Sequence, residues 1–147
     1  MGIDPWDTAV AVLRVASQLV EGIQEGVVRR GFDDVRPVHG FAFARISAGD
    51  ATTADVAAHL GVTKQAAAQL VEYLVARGYV QRSPDPRDGR ARLLALTARG
   101  WACTTAAQEA AAQTLEVWRQ RLGAPVFAEL QAALGAVVEP GRLRPMW

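Results

Sequence analysis

The chain has 147 residues, half of them hydrophobic, and a formal net charge of +1. This length suits one ordinary domain with a sizeable core, so we expect a single domain over residues 1–147. No run of about 20 apolar residues occurs, which excludes a transmembrane helix, and we expect no secretory signal. The single cysteine, Cys103, excludes an internal disulfide and agrees with a cytoplasmic location.

The first predicted helix begins at Pro5, with Asp4 as its N-cap, and ends near Gly31. Apolar or small residues recur along it at alternating spacings of three and four, as in a helix–helix seam. These residues are Trp6, Ala9, Leu13, Ala16, Val20, Ile23 and Val27. A second apolar stripe predicts that this helix is covered on two sides. A second helix is predicted from about Pro37 to Ser47.

Two short helices joined by a tight turn follow, which is the helix-turn-helix pattern. The first begins after its capping residue Thr52 and reaches Leu60, and the turn contains Gly61. The second has Thr63 as its N-cap and runs to Arg77.

The second helix of this pair has an apolar face and a polar face. The predicted core face holds Ala67, Leu70, Val71 and Leu74, and the outward face holds Gln65, Ala68, Gln69 and Glu72, with Lys64 on the flank. A glutamine amide pairs bidentately with adenine in the major groove of DNA, and a lysine reaches guanine or a phosphate. A merely solvated face explains the pattern equally well, so this helix alone leaves both interpretations open.

A two-stranded hairpin is predicted next, with strands over Tyr79–Ser83 and Arg92–Leu96. The connection Pro84–Arg90 is rich in turn residues, and we expect an open loop there, too long for a tight hairpin. Three arginines crowd the tip: Arg87, Arg90 and Arg92. A charged tip is usually only solvated, but directly after a helix-turn-helix it indicates a wing that inserts arginine into the minor groove.

Two further helices are predicted, from the N-cap Thr97 to about Leu122 and from Pro125 to the stop at Pro140. Their apolar faces fit either a monomeric core or a dimer interface. We favour dimerisation through the terminal regions, residues 1–32 and 101–147, because such long helices leave too much apolar face for one chain. The sequence does not decide whether the tail 142–147 packs on the partner.

Positive charge is concentrated in one segment of the chain. Residues 60–100 hold seven basic and three acidic residues, a net charge of +4. The remaining residues hold nine basic and twelve acidic residues, a net charge of −3. Phosphate binding needs a local basic surface rather than a basic protein, so this asymmetry favours a nucleic-acid partner.

Residues 52–100 resemble the winged helix-turn-helix of the MarR (multiple antibiotic resistance regulator) family. The segment LGVTKQAAAQLVEYLVARGYV is similar to that family's recognition helix and following strand, and DPRDGRARLLALTARG to its D-x-R wing and L-T-x-x-G helix start. The resemblance implies a mainly α fold with a small β wing, in which residues 33–100 form the winged helix-turn-helix between dimerisation helices. It also implies that Arg90 enters the minor groove and that Asp88 orients its guanidinium. Gly89 departs from the family, where a charged or bulkier residue is frequent, and should loosen the wing tip.

The predicted function is therefore that of a transcriptional regulator, more specifically a repressor, bound as a homodimer to a pseudo-palindromic operator in double-stranded DNA. The expected DNA contacts are Thr63, Lys64, Gln65 and Gln69 for bases, Arg90 with Asp88 for the minor groove, and Arg82, Arg87 and Arg92 for phosphates. A two-fold dimer places its recognition helices about 34 Å apart, one turn of DNA. The alternative is a winged helix that binds protein.

The resemblance also implies a small aromatic or lipophilic effector, since the family often binds one between the DNA-reading module and the dimer helices. His39, Phe43 and Trp101 are candidate pocket residues, although core packing explains such residues more simply. We expect no enzyme, because no motif unites a nucleophile with a base. We expect no cofactor, because no phosphate-binding loop occurs, and no metal site, because Cys103, His39 and His59 are too few soft ligands. Cys103 is expected to be a small buried hydrophobe, with redox sensing as the alternative.

Overall fold

The computed structural model of the chain describes residues 4–141, so the tail 142–147 lies outside the described residues. The elements in chain order are α1 (Pro5–Arg29), α2 (Pro37–Ser47), α3 (Thr53–Leu60), α4 (Lys64–Ala76), β1 (Val80–Asp85), β2 (Asp88–Leu96), α5 (Ala98–Leu122) and α6 (Ala124–Val137). The predicted fold class, mainly α with a small β wing, is confirmed. Between residues 4 and 141, no helix combines the length and apolar character needed to cross a membrane.

The described chain divides into two compact units. Unit 1 comprises residues 4–33 and 106–138, and unit 2 comprises residues 34–105 and 139–141. Unit 2 therefore contains the helix-turn-helix and the hairpin, and unit 1 contains α1, α6 and most of α5.

The helix starts are set by the capping residues that the sequence predicts. Asp4 accepts a hydrogen bond from the Trp6 N–H at 2.9 Å. Thr52 and Asp55 form a reciprocal capping box at α3, in which the Thr52 N–H donates to the Asp55 carboxylate at 2.8 Å. α3 ends at Gly61, which has a left-handed φ of 69° that a residue with a Cβ rarely adopts. The capping box and Gly61 thus fix the start of α3 and the turn that follows it.

Within unit 1, α1 approaches α5 closely because two glycines lie at the contact. A Cβ on Gly22 would lie 2.7 Å from the Thr114 Oγ1, and a Cβ on Gly26 would overlap the side chain of Ala110. The guanidinium of Arg30 adds an ion pair to Glu109 at 3.2 Å. The glycines that weaken α1 as an isolated helix therefore serve the packing of α1 on α5.

Unit 1 leaves many large apolar side chains exposed. All the exposed large hydrophobic residues of the described chain except Val62 and Trp101 belong to this unit, among them Trp6 (72% exposed), Leu13, Val126 and Val137. None of the residues of α6 is buried. The described residues therefore do not supply the cover that the sequence predicts on two sides of α1.

Unit 2 buries a compact core around α4. The buried residues include Val56 and Leu60 of α3, Ala67, Val71 and Leu74 of α4, and Tyr79, Val80, Leu94 and Leu96 at the base of the hairpin. The strands pair antiparallel, with Val80 opposite Leu96. β2 also bonds the segment before α3, because the Leu94 N–H donates to the Ala51 carbonyl at 2.8 Å.

The hairpin connection is tighter than the sequence predicts. We expected an open loop over Pro84–Arg90, and this prediction is wrong, because Asp85 pairs with Asp88 and leaves only two residues in the turn. A register shift at Pro84 accommodates the proline, which cannot donate to the ladder. The buried Asp85 carboxylate then accepts the Arg87 N–H at 2.9 Å and closes the turn.

The start of α5 is attached to the base of the wing by the L-T-x-x-G segment. Thr97 is the predicted N-cap, and its Oγ1 accepts the Gly100 N–H at 3.2 Å while its O–H donates to the Gly78 carbonyl. A Cβ on Gly100 would collide with the carbonyl oxygen of Tyr79. Thr97 and Gly100 thus have separate structural tasks in this motif.

Candidate nucleic-acid interface

The outward face of α4 carries the side chains that the sequence assigns to base contacts. Lys64, Gln65 and Gln69 are exposed, whereas Ala67, Val71 and Leu74 on the opposite face are buried, as predicted. Thr63 precedes the helix, and its Oγ1 accepts the Ala66 N–H at 3.1 Å. The first two turns of α4 therefore present amide and ammonium groups to solvent on a fixed backbone.

The wing presents two arginines whose charges are not neutralised. Arg90 and Arg92 are exposed, and across residues 4–141 neither of them, nor Lys64, takes part in an ion pair. Asp88 accepts a hydrogen bond from the Arg90 backbone N–H at 3.0 Å. Its contact is thus with the backbone rather than the guanidinium that the resemblance implied. In this structure Asp88 fixes the strand from which Arg90 projects.

Gly89 lies beside that strand start in ordinary backbone conformation. It belongs to β2, it is not among the glycines with positive φ, and a Cβ on it would meet open space. The family's bulkier residue would therefore fit at this position without a steric clash.

Two of the arginines assigned to phosphates are already paired with carboxylates. The Arg87 guanidinium lies 3.4 Å from Asp85 at the end of β1 and 3.9 Å from Asp50 in the segment before α3. The Arg82 guanidinium lies 3.0 Å from the carboxylate of Glu72 on α4. Free and paired cations thus occur on the same surface elements, a distinction that the sequence does not reveal.

A polar cluster centred on Asp34, which the sequence does not predict, lies in unit 2. The hydroxyl of Tyr79 donates to the Asp34 carboxylate, which also pairs with Arg99 at 3.5 Å and Arg77 at 3.7 Å, and the Tyr73 hydroxyl donates to the Asp34 backbone carbonyl. Burial, reinforced by the hydrogen bond to Asp34, raises the pKa of Tyr79 to about 12. This cluster fixes the C-terminal end of α4 within unit 2.

The three candidate effector residues differ in exposure. His39 is buried, stacks on Tyr73 with ring centroids 4.8 Å apart, and accepts the Arg36 N–H on its Nδ1 at 2.8 Å. Burial lowers the pKa of His39 to about 4, and the carboxylate of Asp34 only partly opposes this shift. Phe43 is buried against Tyr79, whereas Trp101 is half exposed. His39 and Phe43 thus have structural roles, and an effector pocket at these residues stays a prediction.

Cys103 is buried, as the sequence predicts. Burial raises the pKa of its thiol to about 11, so the thiol stays protonated near neutral pH and is a weak nucleophile. Among the residues that the structure describes, no three His, Cys, Asp or Glu side chains come together as a metal site would require.

The pair α3–α4 with the following hairpin defines a winged helix-turn-helix protein, in which α4 occupies the recognition-helix position. Residues 36–91 match the family model described as MarR family. The match covers α2, the helix-turn-helix and the wing tip, and it makes this part of the chain similar to that family. A search of the curated proteins finds no significant match.

Solved structures share this fold over nearly the whole chain. RV1404 from Mycobacterium tuberculosis is similar at a TM-score of 0.78 and 23% identity, over 96% of this chain and 97% of that chain. A mutant of MepR from S. aureus, bound to an oligodeoxyribonucleotide, is similar at a TM-score of 0.66 and 15% identity, over 88% of this chain and 94% of that chain. CouR from Rhodococcus jostii RHA1, bound to p-coumaroyl-CoA, is similar at a TM-score of 0.66 and 22% identity, over 93% of this chain and 95% of that chain.

Proposed function

We propose that the chain is a sequence-specific DNA-binding transcriptional regulator that acts as a homodimer, most simply as a repressor released by a small molecule. The observation that carries the proposal lies in unit 2. An exposed glutamine face on the recognition helix and an unpaired arginine near the wing tip belong to one compact body. The DNA-bound MepR mutant has the same fold and supports the proposal. We accordingly propose a cytoplasmic location.

The groove assignments follow from the size and chemistry of the two elements. An α-helix fits the major groove, where Gln65 and Gln69 offer amides that pair with adenine, and Lys64 reaches guanine or a phosphate. Thr63 lies at the N-terminal end, which in this motif lies nearest the bases. Arg90 suits a narrow minor groove, whose negative potential attracts a guanidinium.

Phosphate contacts divide according to the ion pairs of the free protein. Arg92 is exposed and unpaired on β2, so it reaches a phosphate without losing a partner. Arg82 and Arg87 reach phosphates only by leaving Glu72 and Asp85, respectively. The free protein is therefore equipped with fewer ready phosphate contacts than its arginine content suggests.

Dimerisation is supported by the apolar surface of unit 1. Trp6, Leu13, Val126 and Val137 are all exposed, and α6 buries no residue. Monomeric proteins rarely leave a large apolar patch in water, and such patches mark interaction sites. A two-fold dimer through these helices presents two recognition helices to a pseudo-palindromic operator, about 34 Å apart.

We further propose that a small-molecule effector releases the protein from DNA. CouR shares the fold and binds p-coumaroyl-CoA, which supports a small aromatic or lipophilic ligand for this chain. A ligand that fits only one spacing of the recognition helices shifts the population away from the geometry that binds DNA.

The experiment measures binding of the intergenic DNA beside this gene by fluorescence anisotropy, with a shuffled duplex of the same composition as control. We expect salt-dependent binding of both duplexes and tighter binding of the intergenic one. No binding of either duplex at low salt would contradict the proposal and favour a protein-binding winged helix.

A further inference from the structure

The recognition helix and the wing are joined by an ion pair between Glu72 and Arg82. Glu72 lies on the outward face of α4, three residues after Gln69, and its carboxylate is 3.0 Å from the Arg82 guanidinium on β1. The Glu72 side chain is 72% exposed and that of Arg82 33% exposed. Both groups therefore lie at the surface that the proposed function turns toward DNA.

Stability does not explain this ion pair. Exposed ion pairs contribute little to folding, because water screens them and ordering two long side chains costs entropy. The Glu72 carboxylate also has an unfavourable electrostatic position, since it shares its helix face with the side chains proposed to contact DNA. A carboxylate at this position lowers the net charge of the interface by one and places a negative group near the phosphates.

Other cationic side chains of α4 and the hairpin differ from Arg82 in having no carboxylate partner. Lys64, Arg90 and Arg92 are exposed, and within residues 4–141 they have no carboxylate partner. Arg82 is the arginine whose partner comes from the recognition helix itself. Its availability to a phosphate therefore depends on one residue, Glu72.

We propose that Glu72 limits sequence-independent DNA binding by holding the Arg82 guanidinium away from the phosphate backbone. This inference rests on the proposed function. Sequence-independent affinity comes from phosphate contacts, and each one adds about 0.9 to the slope of log affinity against log salt. Holding back one arginine lowers affinity for all DNA and leaves base contacts by Gln65 and Gln69 as a larger share of the binding.

The test compares Glu72→Gln with the double variant Glu72→Gln/Arg82→Ala on the shuffled duplex, over a salt series. Glutamine keeps the size of the side chain but loses the charge. We expect Glu72→Gln to bind on the order of five- to tenfold more tightly at 0.1 M salt, with a slope steeper by about 0.9. The double variant should lose most of this gain, because the gain comes from Arg82.

Glu25→Gln is the matched control, because Glu25 is a similarly exposed carboxylate that pairs with Arg29 in unit 1. It changes the net charge equally and should leave the slope unchanged. A gain that persists in the double variant, or an equal gain in Glu25→Gln, would overturn the inference, as would an unchanged slope in Glu72→Gln. Failure of the wild type to bind DNA would instead overturn the proposed function.

Discussion

Gly100 lies directly against the carbonyl oxygen of Tyr79, so closely that a Cβ at position 100 would collide with it. The same carbonyl accepts the Thr97 N–H at 3.0 Å. The start of the hairpin and the start of α5 therefore meet at one backbone contact in unit 2. A side chain at position 100 cannot be accommodated without moving the strand or the helix.

Gly100→Ala is accordingly expected to destabilise the protein. Alanine normally favours a helix over glycine by about 1 kcal/mol, but the clash with backbone costs at least ~1–3 kcal/mol and outweighs this gain. Gly40→Ala in α2 is the matched control, because Gly40 is exposed, helical and surrounded by open space. Urea denaturation should show a lower free energy of unfolding for Gly100→Ala and an equal or higher one for Gly40→Ala. A decrease in the free energy of unfolding for both variants, or for neither, would refute the close contact at Gly100.

Stability should fall between neutral and mildly acidic pH because of His39. Its pKa of about 4 in the folded protein lies below the usual histidine value of 6.5, so the unfolded state takes up the proton first. The contribution of neutral His39 to the free energy of unfolding is complete above pH 6.5 and is lost as the pH falls toward 4. Between pH 7 and 5.5 this predicts a loss of about 1 kcal/mol in the free energy of unfolding.

His39→Gln separates this titration from the capping role of the residue. Glutamine at the third helical position accepts the same backbone hydrogen bond but does not titrate in this range. Urea denaturation at both pH values should show a smaller pH dependence for the variant, even if its stability at pH 7 is lower. An equal pH dependence in both proteins would mean that His39 is not the group responsible.

Arg90→Ala should weaken binding to every DNA sequence and flatten the salt dependence of affinity by about 1 in slope. Arg87→Ala should have a smaller effect, since the Arg87 guanidinium is already paired with Asp85 and Asp50. Anisotropy titrations of both variants at several salt concentrations measure the difference. Equal losses of DNA affinity in the two variants would show that the ion pairs at the tip do not restrain Arg87. An unchanged affinity in Arg90→Ala would show that the wing does not contribute to DNA binding.

Gln65→Ala should instead alter sequence preference. Loss of a bidentate amide contact costs about 1–3 kcal/mol at the base pair concerned and little elsewhere. Binding to a panel of operators with single base-pair changes should become uniform at one or two positions in each half-site. A loss shared by all sequences would assign Gln65 to the DNA backbone.

Much of the fold follows from local chemistry and was predictable. Asp4 with Pro5, Thr52 with Asp55, and Thr63 each mark a helix start through contacts within three residues. The hairpin connection was not predictable from the sequence. Its prolines indicate an open loop, whereas the buried Asp85 carboxylate accepts the hydrogen bond that closes the turn.

The contacts that distinguish free from paired cations also escape the sequence. Asp34 meets Tyr79 and Arg99 across 45 and 65 positions, and no local pattern signals such pairs. Glu72 and Arg82 are ten positions apart on different elements, so neither helical nor strand periodicity relates them. Sequence therefore predicts which side chains are polar and outward, but not which charges remain available.

The proposed function depends above all on sequence-specific recognition of DNA by a two-fold dimer. Selection of binding sites from a library of random duplexes by the purified protein tests it most directly. We expect an enriched pseudo-palindrome whose half-site centres lie about one helical turn, roughly 10 base pairs, apart. Enrichment no greater than that obtained with heat-denatured protein, or a selected site without two-fold symmetry, would contradict it.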